Sequence, residues 1–347
     1  MNEEIRLTEW SKGSGCGCKI APAALREMLA DVRSTDSFSR LIVGNEQSDD
    51  AAVWELDNGQ CLISTVDFFT PVVDDAERFG AIAAANALSD VYAMGGRPVM
   101  AIAILGWPVE KIPPSVAAQV LRGARDLCAR AGIPMAGGHS IEAPEPFFGL
   151  SVNGLIDQPH IRRNTGAKAG DLLFLTKPIG SGLISAARKR GIATPDMIAE
   201  SEYWMSELNT PGMAFSRLDG VHAMTDITGF GLLGHLMEML GEGPLSAELQ
   251  ASAWPLMAGA EDLVAQMVYP DMTMKTFQTI APECAPLDAR KLLVGCDPQT
   301  SGGLLVAVDP AAEEEFRELT RTLGLPDFVR QPIGCIIASS KHRITVL

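Results

Sequence analysis

The sequence predicts two domains of mixed helix and strand, an α+β (α/β mixed) fold, preceded by a flexible glycine-rich segment. The chain has 347 residues, about twice the usual size of one domain. Hydrophobic residues make up 47% and charged residues 20%, an ordinary globular balance that excludes a largely disordered chain. Strands and helices are mixed in both halves, which favours two α/β or α+β domains.

The boundary between the domains is predicted in the polar stretch from 157 to 170, which contains Pro159 and Gly166. We therefore expect an N-terminal segment, an N-terminal domain and a C-terminal domain over residues 1–20, 21–157 and 170–347. The segment is rich in small residues between Ser11 and Lys19. Because these residues have little to bury, the segment should be mobile unless a ligand orders it.

The N-terminal domain begins with a helix predicted at Pro22, with Leu25, Met28, Leu29 and Val32 at helical spacing. A long helix is predicted over 76–94, ended by Gly95-Gly96, and another from Pro114 to Gly132. Apolar stretches predict strands at Leu41–Val43, Ala51–Leu56, Cys61–Val66, Val99–Leu105, Ile133–Ala136 and Phe147–Ile156. We expect Gly137-Gly138-His139-Ser140 to form a loop between the last two strands.

The C-terminal domain begins with a strand predicted at Leu172–Thr176, followed by Gly180-Ser181-Gly182 and a helix. A helix over Leu232–Leu240 follows a glycine-rich turn, and a strand is predicted at Leu304–Val308.

The net charge excludes several classes of partner. The chain carries 28 Lys and Arg against 43 Asp and Glu, for a formal net charge of −15. Such a surface repels nucleic acid and anionic membranes, so a polyanionic substrate would need metal ions to mediate its binding. No apolar run reaches the ~18 residues of a membrane span. The acidic start lacks a signal peptide pattern, and the scattered cysteines do not form a disulfide framework, so a cytoplasmic protein with free thiols is expected.

Several aspartates stand where metal ligands would be expected. Asp49-Asp50 precedes a strand, Asp67 ends the next strand, and Asp226 precedes a glycine-rich turn. For any one of these, a cap, a turn or a surface charge is the better interpretation. Asp90 is the exception, because it lies with Asn86 on an alanine-rich helical face, where an unpaired carboxylate is costly. Converging carboxylates with substrate phosphates are the ligands that Mg²⁺ prefers.

The glycine-rich segment is compatible with phosphate binding but matches no common nucleotide motif. It resembles a P-loop only partly, because Cys18 and Ile20 replace the second glycine and the hydroxyl residue, and no strand precedes it. Glycine backbone N–H groups can nevertheless cradle phosphates, and Lys19 supplies a cation. Cys16 and Cys18 lack the second ligand pair of a structural zinc site. Either thiol could act as a nucleophile or handle a chalcogen, and exposure does not distinguish the two in one flexible loop.

Five motifs together resemble the selenophosphate synthetase (selenide, water dikinase) family, in unbroken order from about Ile5 to the C-terminus. The most discriminating is Gly15-Cys16-Gly17-Cys18-Lys19. The others are Gly44-Asn45-Glu46 with Asp49-Asp50-Ala51-Ala52-Val53, Gly137-Gly138-His139-Ser140, Thr225-Asp226-Ile227-Thr228-Gly229-Phe230-Gly231, and Asp297-Pro298-Gln299-Thr300-Ser301-Gly302-Gly303.

The resemblance implies an aminoimidazole-ribonucleotide-synthetase-like architecture, with an N-terminal domain that pairs across a homodimer and an α+β C-terminal domain. It implies the reaction ATP + selenide + water → selenophosphate + AMP + orthophosphate, with more than one Mg²⁺ ion. ATP and selenide are then the substrates, a selenium-delivery protein is a candidate partner, and the product supplies selenium for selenocysteine and selenouridine.

The resemblance also implies roles for individual residues. Cys16 matches the catalytic Cys or selenocysteine, and Lys19 matches a phosphate-contacting lysine. The metal ligands implied are Asp50, Asp90 and Asp226, with Asp67 on metal or nucleotide and Asp90 also near ATP. The nucleotide contacts implied are Gln47, Ser48, Asp49, Gly138, His139 and Ser140, the last three near the dimer interface. Some members have His just before the first glycine of the segment, where this chain has Lys12, so the resemblance does not carry over a proton-transfer role for that histidine.

Two alternatives remain open. The first is another ATP-dependent enzyme of the same superfamily, such as thiamine-monophosphate kinase or a purine-pathway synthetase, which would not be expected to carry Gly-Cys-Gly-Cys-Lys. The second is a non-enzymatic thiol or metal-binding module, with Cys16 and Cys18 as chelators. Selenide-dependent AMP formation separates both from the family that the motifs resemble.

Overall fold

Two six-stranded sheets organise the chain, one in each half. The computed structural model describes residues 5–11, 13–20, 24, 27–28, 38–44 and 49–347. Most of the helix predicted from Pro22, together with Lys12, Gln47 and Ser48, lies outside the described residues.

The first sheet carries strands of the N-terminal half, in the order β1-β2-β3-β6-β4-β5. The strands are β1 Leu41–Val43, β2 Ala52–Glu55, β3 Gln60–Phe69, β4 Arg97–Trp107, β5 Met135–Glu142 and β6 Phe147–Asp157. Neighbours pair antiparallel, apart from β4 and β5, which are parallel. The predicted strands are present, and most are longer than their apolar stretches, because sheet pairing continues through polar and glycine residues.

Two of these extensions correct the sequence expectations. Asp67 lies inside β3, opposite Leu150 of β6, and does not end the strand. Gly138, His139 and Ser140 lie in β5, paired with Ala103, Ile104 and Leu105 of β4, and are not in a loop.

Two helices cover one face of the first sheet and approach each other closely. They are α1 Ala76–Ala93 and α2 Pro114–Arg130. A Cβ on Gly80 would lie 1.8 Å from the Val120 carbonyl oxygen, and a Cβ on Gly123 would lie 1.8 Å from that of Glu77. Glycine at both positions therefore allows the backbones to touch. The α1 helix also contacts β8 of the second sheet, so its alanine-rich face is buried between the two domains.

The second sheet has the order β12-β9-β11-β7-β10-β8, antiparallel except for β12 beside β9. The strands are β7 Leu172–Leu175, β8 Val221–Asp226, β9 Leu245–Leu249, β10 Leu304–Val308, β11 Gly334–Ala338 and β12 Ile344–Val346.

Eight helices are described in the C-terminal half. They are α3 Ser181–Lys189, α4 Pro195–Ser206, α5 Gly212–Phe215, α6 Gly231–Leu240, α7 Ala260–Ala265, α8 Asp271–Ile280, α9 Ala289–Gly295 and α10 Glu313–Thr322. Short 3₁₀ helices lie at Leu7–Trp10, Cys16–Cys18, Gln158–His160, Ala251–Ala253, Pro310–Ala312 and Asp327–Arg330.

Each half has its own apolar core. A smaller cluster, which includes Ala93 of α1 and Phe174, Phe215 and Phe316, joins the end of α1 to the second sheet. Within the described ranges, none of the helices combines the length and apolar character that crossing a membrane requires.

Candidate functional site

The centre of the site is the carboxamide of Asn86, which lies on α1 and has no exposed surface. Its Nδ2 donates to Asp67 Oδ2 at 2.5 Å. Its Oδ1 accepts the Sγ–H of Cys16 at 3.1 Å and the backbone N–H of Ser301 at 2.8 Å. One side chain thus joins β3, the glycine-rich segment and the loop before β10. The sequence placed Asn86 on the face of Asp90 but did not identify this role.

The glycine-rich segment is docked on both domains. Gly15 N–H donates to the Thr70 carbonyl oxygen at 3.0 Å, and Cys16 N–H donates to Thr300 Oγ1 at 3.0 Å. Gly15 has φ of +51°, and a Cβ there would lie 2.2 Å from Thr300 Oγ1. Only glycine fits both the left-handed backbone and the close approach. The mobility of the segment without nucleotide stays a prediction.

The two thiols of the segment have opposite environments, which corrects the expectation that exposure does not distinguish them. Cys16 has no exposed surface, whereas Cys18 is exposed. Burial raises the pKa of the Cys16 thiol well above its usual range, and the negative charge of Asp67 adds to the increase. The thiol is therefore protonated at neutral pH in this conformation and donates to Asn86.

Lys19 reaches from the segment into the site. Its Nζ lies 3.3 Å from Thr228 Oγ1 and 3.9 Å from Asp67 Oδ2. Partial burial lowers the pKa of Lys19, but the attraction of Asp67 and of the other acidic groups outweighs it, so the amine stays charged. Thr228 is held by His235, whose Nε2 accepts the Thr228 backbone N–H at 3.0 Å. The role of His235 carries no local sequence signal.

Three of the predicted metal ligands form a repulsive acidic group. Asp50 Oδ1 accepts from Asn164 Nδ2 and Thr225 Oγ1, each at 3.0 Å. Asp90 Oδ2 accepts from Thr65 Oγ1 at 2.5 Å. Burial, followed by the charge of Asp226, raises the pKa of both Asp50 and Asp90 well above the usual range.

Asp226 is 2% exposed, at the end of β8. Burial raises its pKa, and hydrogen bonding with Ser89 offsets part of the increase. Asp50 Oδ2 and Asp226 Oδ2 are both buried without a hydrogen-bond partner among the described residues. Buried carboxylate oxygens without partners and with elevated pKa values fit a hard cation. Over the described ranges, however, no three His, Cys, Asp or Glu side chains stand close enough to hold a metal ion by themselves. Substrate oxygens would have to complete the coordination.

Among the other nucleotide candidates that the structure describes, Asp49 lies beside this group, because Asn164 binds both Asp49 and Asp50, whereas the β5 residues lie apart from it. Asp49 Oδ1 accepts the backbone N–H of Asn164 at 2.9 Å, so its carboxylate is bound to the interdomain stretch. Gly138, His139 and Ser140 are exposed on the edge strand β5. Since β5 is three strand positions from β3, the two strands are about 14 Å apart. Within one protomer, the structure does not bring the β5 residues to Asp67.

The loop before β10 supports Cys16 and Asn86 through buried contacts that the sequence did not reveal. Ser301 has φ of +49°, a conformation that non-glycine residues rarely adopt. Its carbonyl oxygen accepts from Lys177 Nζ at 2.8 Å, while its N–H is bound to Asn86. At the start of the loop, Asp297 accepts from Gly182 N–H at 3.1 Å and from Gln299 Nε2 at 2.7 Å. Burial raises the pKa of Asp297 to about 8.

Comparison with known proteins identifies both domains. Residues 48–156 match the AIR synthase related protein N-terminal domain, and residues 168–346 match the AIR synthase related protein C-terminal domain. The chain is 49% identical to a protein of Bordetella bronchiseptica named "Selenide, water dikinase", with 100% of each chain covered. It is 48% identical to a protein of the same name from Pseudomonas putida, again with 100% of each covered.

A solved structure of the hydrogenase maturation protein HypE in complex with ATP has the same fold. Its TM-score is 0.63 at 16% identity, over 99% of this chain and 94% of that one. At that identity the likeness supports the fold alone. With both domains matched and full-length relatives at nearly half identity, the chain belongs to the AIR synthase related proteins and, among them, to the selenide, water dikinase family.

Proposed function

We propose that this chain catalyses ATP + selenide + water → selenophosphate + AMP + orthophosphate. The observation that carries the proposal is the buried Cys16 thiol, which Asn86 couples to Asp67 beside a group of aspartates with elevated pKa values. A thiol held next to a cation-binding region is what the transfer of a chalcogen to a phosphoryl group needs. The full-length relatives named "Selenide, water dikinase" support the same reaction.

Asp50, Asp90 and Asp226, with Asp67, are proposed to bind more than one Mg²⁺ together with the phosphates of ATP. The unpartnered oxygens of Asp50 and Asp226 support this, because each is buried and has no hydrogen-bond partner among the described residues. Bound Mg²⁺ would neutralise the phosphates and the developing charge of the leaving group. The ions would also relieve the repulsion that raises the aspartate pKa values.

Lys19 is proposed to contact the phosphates, because its charged amine lies between Thr228 and Asp67. Gln47, Ser48 and Asp49 remain the proposed nucleotide-contacting turn. The nucleophile is the selenide itself, which forms the Se–P bond as the bond from the γ-phosphorus to the bridging oxygen breaks and leaves ADP. Water then cleaves ADP to AMP and orthophosphate. Cys16 is proposed to hold and orient selenium for the first step, which lowers the barrier by positioning.

The protein is proposed to act as a cytoplasmic homodimer in which β5 of one protomer supplies Gly138, His139 and Ser140 to the partner's nucleotide. The exposed face of the first sheet supports this, because it carries a group of half-exposed apolar side chains. They are Val66, Phe68, Met100, Ile102 and Ile141. A patch of this kind is typical of a protein–protein interface. A protein that delivers selenium remains a proposed additional partner.

Phosphorus NMR tests the reaction directly. ATP, Mg²⁺ and selenide are incubated with the protein under anaerobic conditions, and selenophosphate, AMP and orthophosphate are expected in equal amounts. Cys16→Ser should form no selenophosphate, and omission of selenide should suppress AMP formation. ADP as the final product, or phosphorylation of added thiamine monophosphate, would instead identify a kinase of the same fold.

A further inference from the structure

A cleft of about 460 Å³ lies between the glycine-rich segment, helix α3 and the start of helix α8. Gly17, Cys18 and Lys19 of the segment line it, as do Tyr269 and Lys275. Asp50, Asp67, Asp90 and Asp226 do not line it. The cleft is therefore a different space from the acidic group proposed to bind Mg²⁺ and ATP.

The cleft is cationic in a protein with a formal net charge of −15. Among the described residues that line it, Lys19, Lys189, Arg190 and Lys275 are basic and Asp271 alone is acidic. Lys189 Nζ donates to the Gly13 carbonyl oxygen at 2.6 Å, which ties the segment to α3. Arg190 and Lys275 are exposed at the cleft. A local excess of positive charge on an acidic protein concentrates small anions at that place.

Residues that line the cleft also contact the residues around the buried thiol. Thr300 lines the cleft, and its Oγ1 accepts the N–H of Cys16. Lys19 lines the cleft, and its amine extends to Thr228 and Asp67 on the inner side. The segment is loosely packed at Gly17, where a Cβ would meet only Pro298 Cγ, at 3.9 Å. Gly17, which lines the cleft and follows Cys16 in the chain, is therefore one of the least constrained points of the segment.

Selenide reaches this region as a monoanion, because hydrogen selenide is a stronger acid than hydrogen sulfide and is ionised at neutral pH. An approach past the aspartates would be opposed by their charges. We propose that the cationic cleft is the access route and transient binding site of the hydrogen selenide anion, from which selenium reaches Cys16. The proposal rests on the function proposed above and adds the place where the anionic substrate is collected.

Charge reversal at the cleft tests the proposal through the kinetics of the two substrates. Lys275→Glu and Arg190→Glu should each raise the KM for selenide about three- to fivefold at low ionic strength, as expected for reversing one charge roughly 8 Å from an anion in water. The kcat and the KM for ATP should not change. Lys275→Arg should behave as the wild type. Lys341→Glu, an exposed lysine outside the cleft, is the matched control for net charge.

Salt provides an independent check, because screening weakens attraction between exposed charges. The kcat/KM for selenide should fall with added NaCl in the wild type and depend less on salt in the Lys275→Glu variant. An unchanged selenide KM in both reversed variants would overturn the proposal. So would an equal rise in the KM for ATP, which would assign the cleft to nucleotide phosphates.

A measurement without turnover separates this proposal from the proposed function. Cys18 lines the cleft and is exposed, so its alkylation by anionic iodoacetate can be compared with that by neutral iodoacetamide. The rate with iodoacetate divided by the rate with iodoacetamide does not depend on the fraction of Cys18 that is thiolate. This ratio should fall about threefold or more in Lys275→Glu and stay constant in Lys341→Glu. A constant ratio in Lys275→Glu refutes anion attraction by the cleft, whether or not the wild type makes selenophosphate.

Discussion

Asn86 Oδ1 accepts a hydrogen bond from the Cys16 thiol at 3.1 Å, and Nδ2 of the same carboxamide donates to Asp67 Oδ2 at 2.5 Å. A residue of α1 therefore connects the thiol of the glycine-rich segment to a carboxylate of β3. The backbone N–H of Ser301 occupies the second acceptor site of Asn86. The oxygen of this buried carboxamide therefore accepts two hydrogen bonds, and its nitrogen donates one to Asp67.

Replacing Asn86 tests the connection. Asn86→Ala leaves the buried N–H of Ser301 without its acceptor and should lower the free energy of unfolding by about 1–3 kcal/mol. It should also release the Cys16 thiol, so that Cys16 reacts faster with iodoacetamide, while selenide-dependent AMP formation is lost. Asn58→Ala, in an exposed turn, is the control. Unchanged Cys16 reactivity in Asn86→Ala would show that the segment does not depend on this contact.

The two thiols should differ in function as they differ in burial. Cys16→Ser should lose selenophosphate formation but keep nucleotide affinity, because the serine hydroxyl can still donate to Asn86 but cannot hold selenium as a thiol does. Cys18→Ser should keep both properties. AMP production and ATP affinity are measured for each variant. Full activity in Cys16→Ser, or loss only in Cys18→Ser, would reverse the assignment.

Gly15 and Gly17 form a matched pair, because the same alanine substitution meets different surroundings. Gly15 has φ of +51° and ψ of −144°, so Gly15→Ala strains the backbone by about 1–3 kcal/mol and places a Cβ 2.2 Å from Thr300 Oγ1. In the Gly15→Ala variant the glycine-rich segment should undock, so proteolysis near position 15 should be faster and activity at least tenfold lower. Gly17→Ala has room and should be tolerated. Equal activity of the two variants would show that catalysis does not require the segment to be docked as it is in this structure.

Neutralising Asp226 should stabilise the protein and inactivate it. Burial raises the Asp226 pKa, and the charge of Asp226 raises those of Asp50 and Asp90, so ionisation of these groups costs stability without metal. Because the folded pKa of Asp226 exceeds its unfolded value, the protonated carboxyl group stabilises the fold fully below pH ~4. This contribution to stability decreases as pH rises through the folded pKa.

In EDTA, Asp226→Asn should raise Tm at pH 7 and flatten the dependence of Tm on pH. With limiting Mg²⁺, it should abolish turnover, as should Asp50→Asn and Asp90→Asn. A lower Tm in EDTA would contradict the repulsion, and near-normal activity of Asp90→Asn would contradict the shared Mg²⁺ site.

Lys177 should make stability depend on pH in the alkaline range. Burial lowers its pKa to about 7, although its Nζ donates to the carbonyl oxygens of Glu207 at 2.7 Å and Ser301 at 2.8 Å. The unfolded chain, with a lysine pKa of ~10.4, then binds more protons between about pH 7 and 10. The wild type should therefore gain stability relative to Lys177→Met as pH rises through this window, by on the order of 1 kcal/mol per pH unit. Urea unfolding of both proteins at pH 7, 8 and 9 measures the difference. A constant difference would mean that Lys177 keeps an ordinary pKa in the fold.

Local patterns determined the elements that have strong caps and periodicity. The helix predicted over 76–94 is α1, Ala76–Ala93, because Asp75 caps its first turn and glycines end it. The strand predicted at Leu304–Val308 has the same bounds in the structure. The five motifs also identified the family before any contact was known. In contrast, the glycines of Gly137–Ser140 suggested a loop, and pairing with β4 made them a strand, because neighbouring backbone outweighs local propensity.

Tertiary structure alone decided how the chemical groups meet. The sequence marked Cys16, Asp67 and Asp226 as separate candidates, but nothing local indicated that Asn86 would join Cys16 to Ser301, 70 and 215 positions away. Contacts across such separations leave no periodicity in the chain. The burial of Cys16 beside the exposed Cys18, the shift in the Lys177 pKa and the cationic cleft have the same origin. Each depends on which groups folding brings together and on how much water it removes from them, and the order of residues along the chain does not encode either quantity locally.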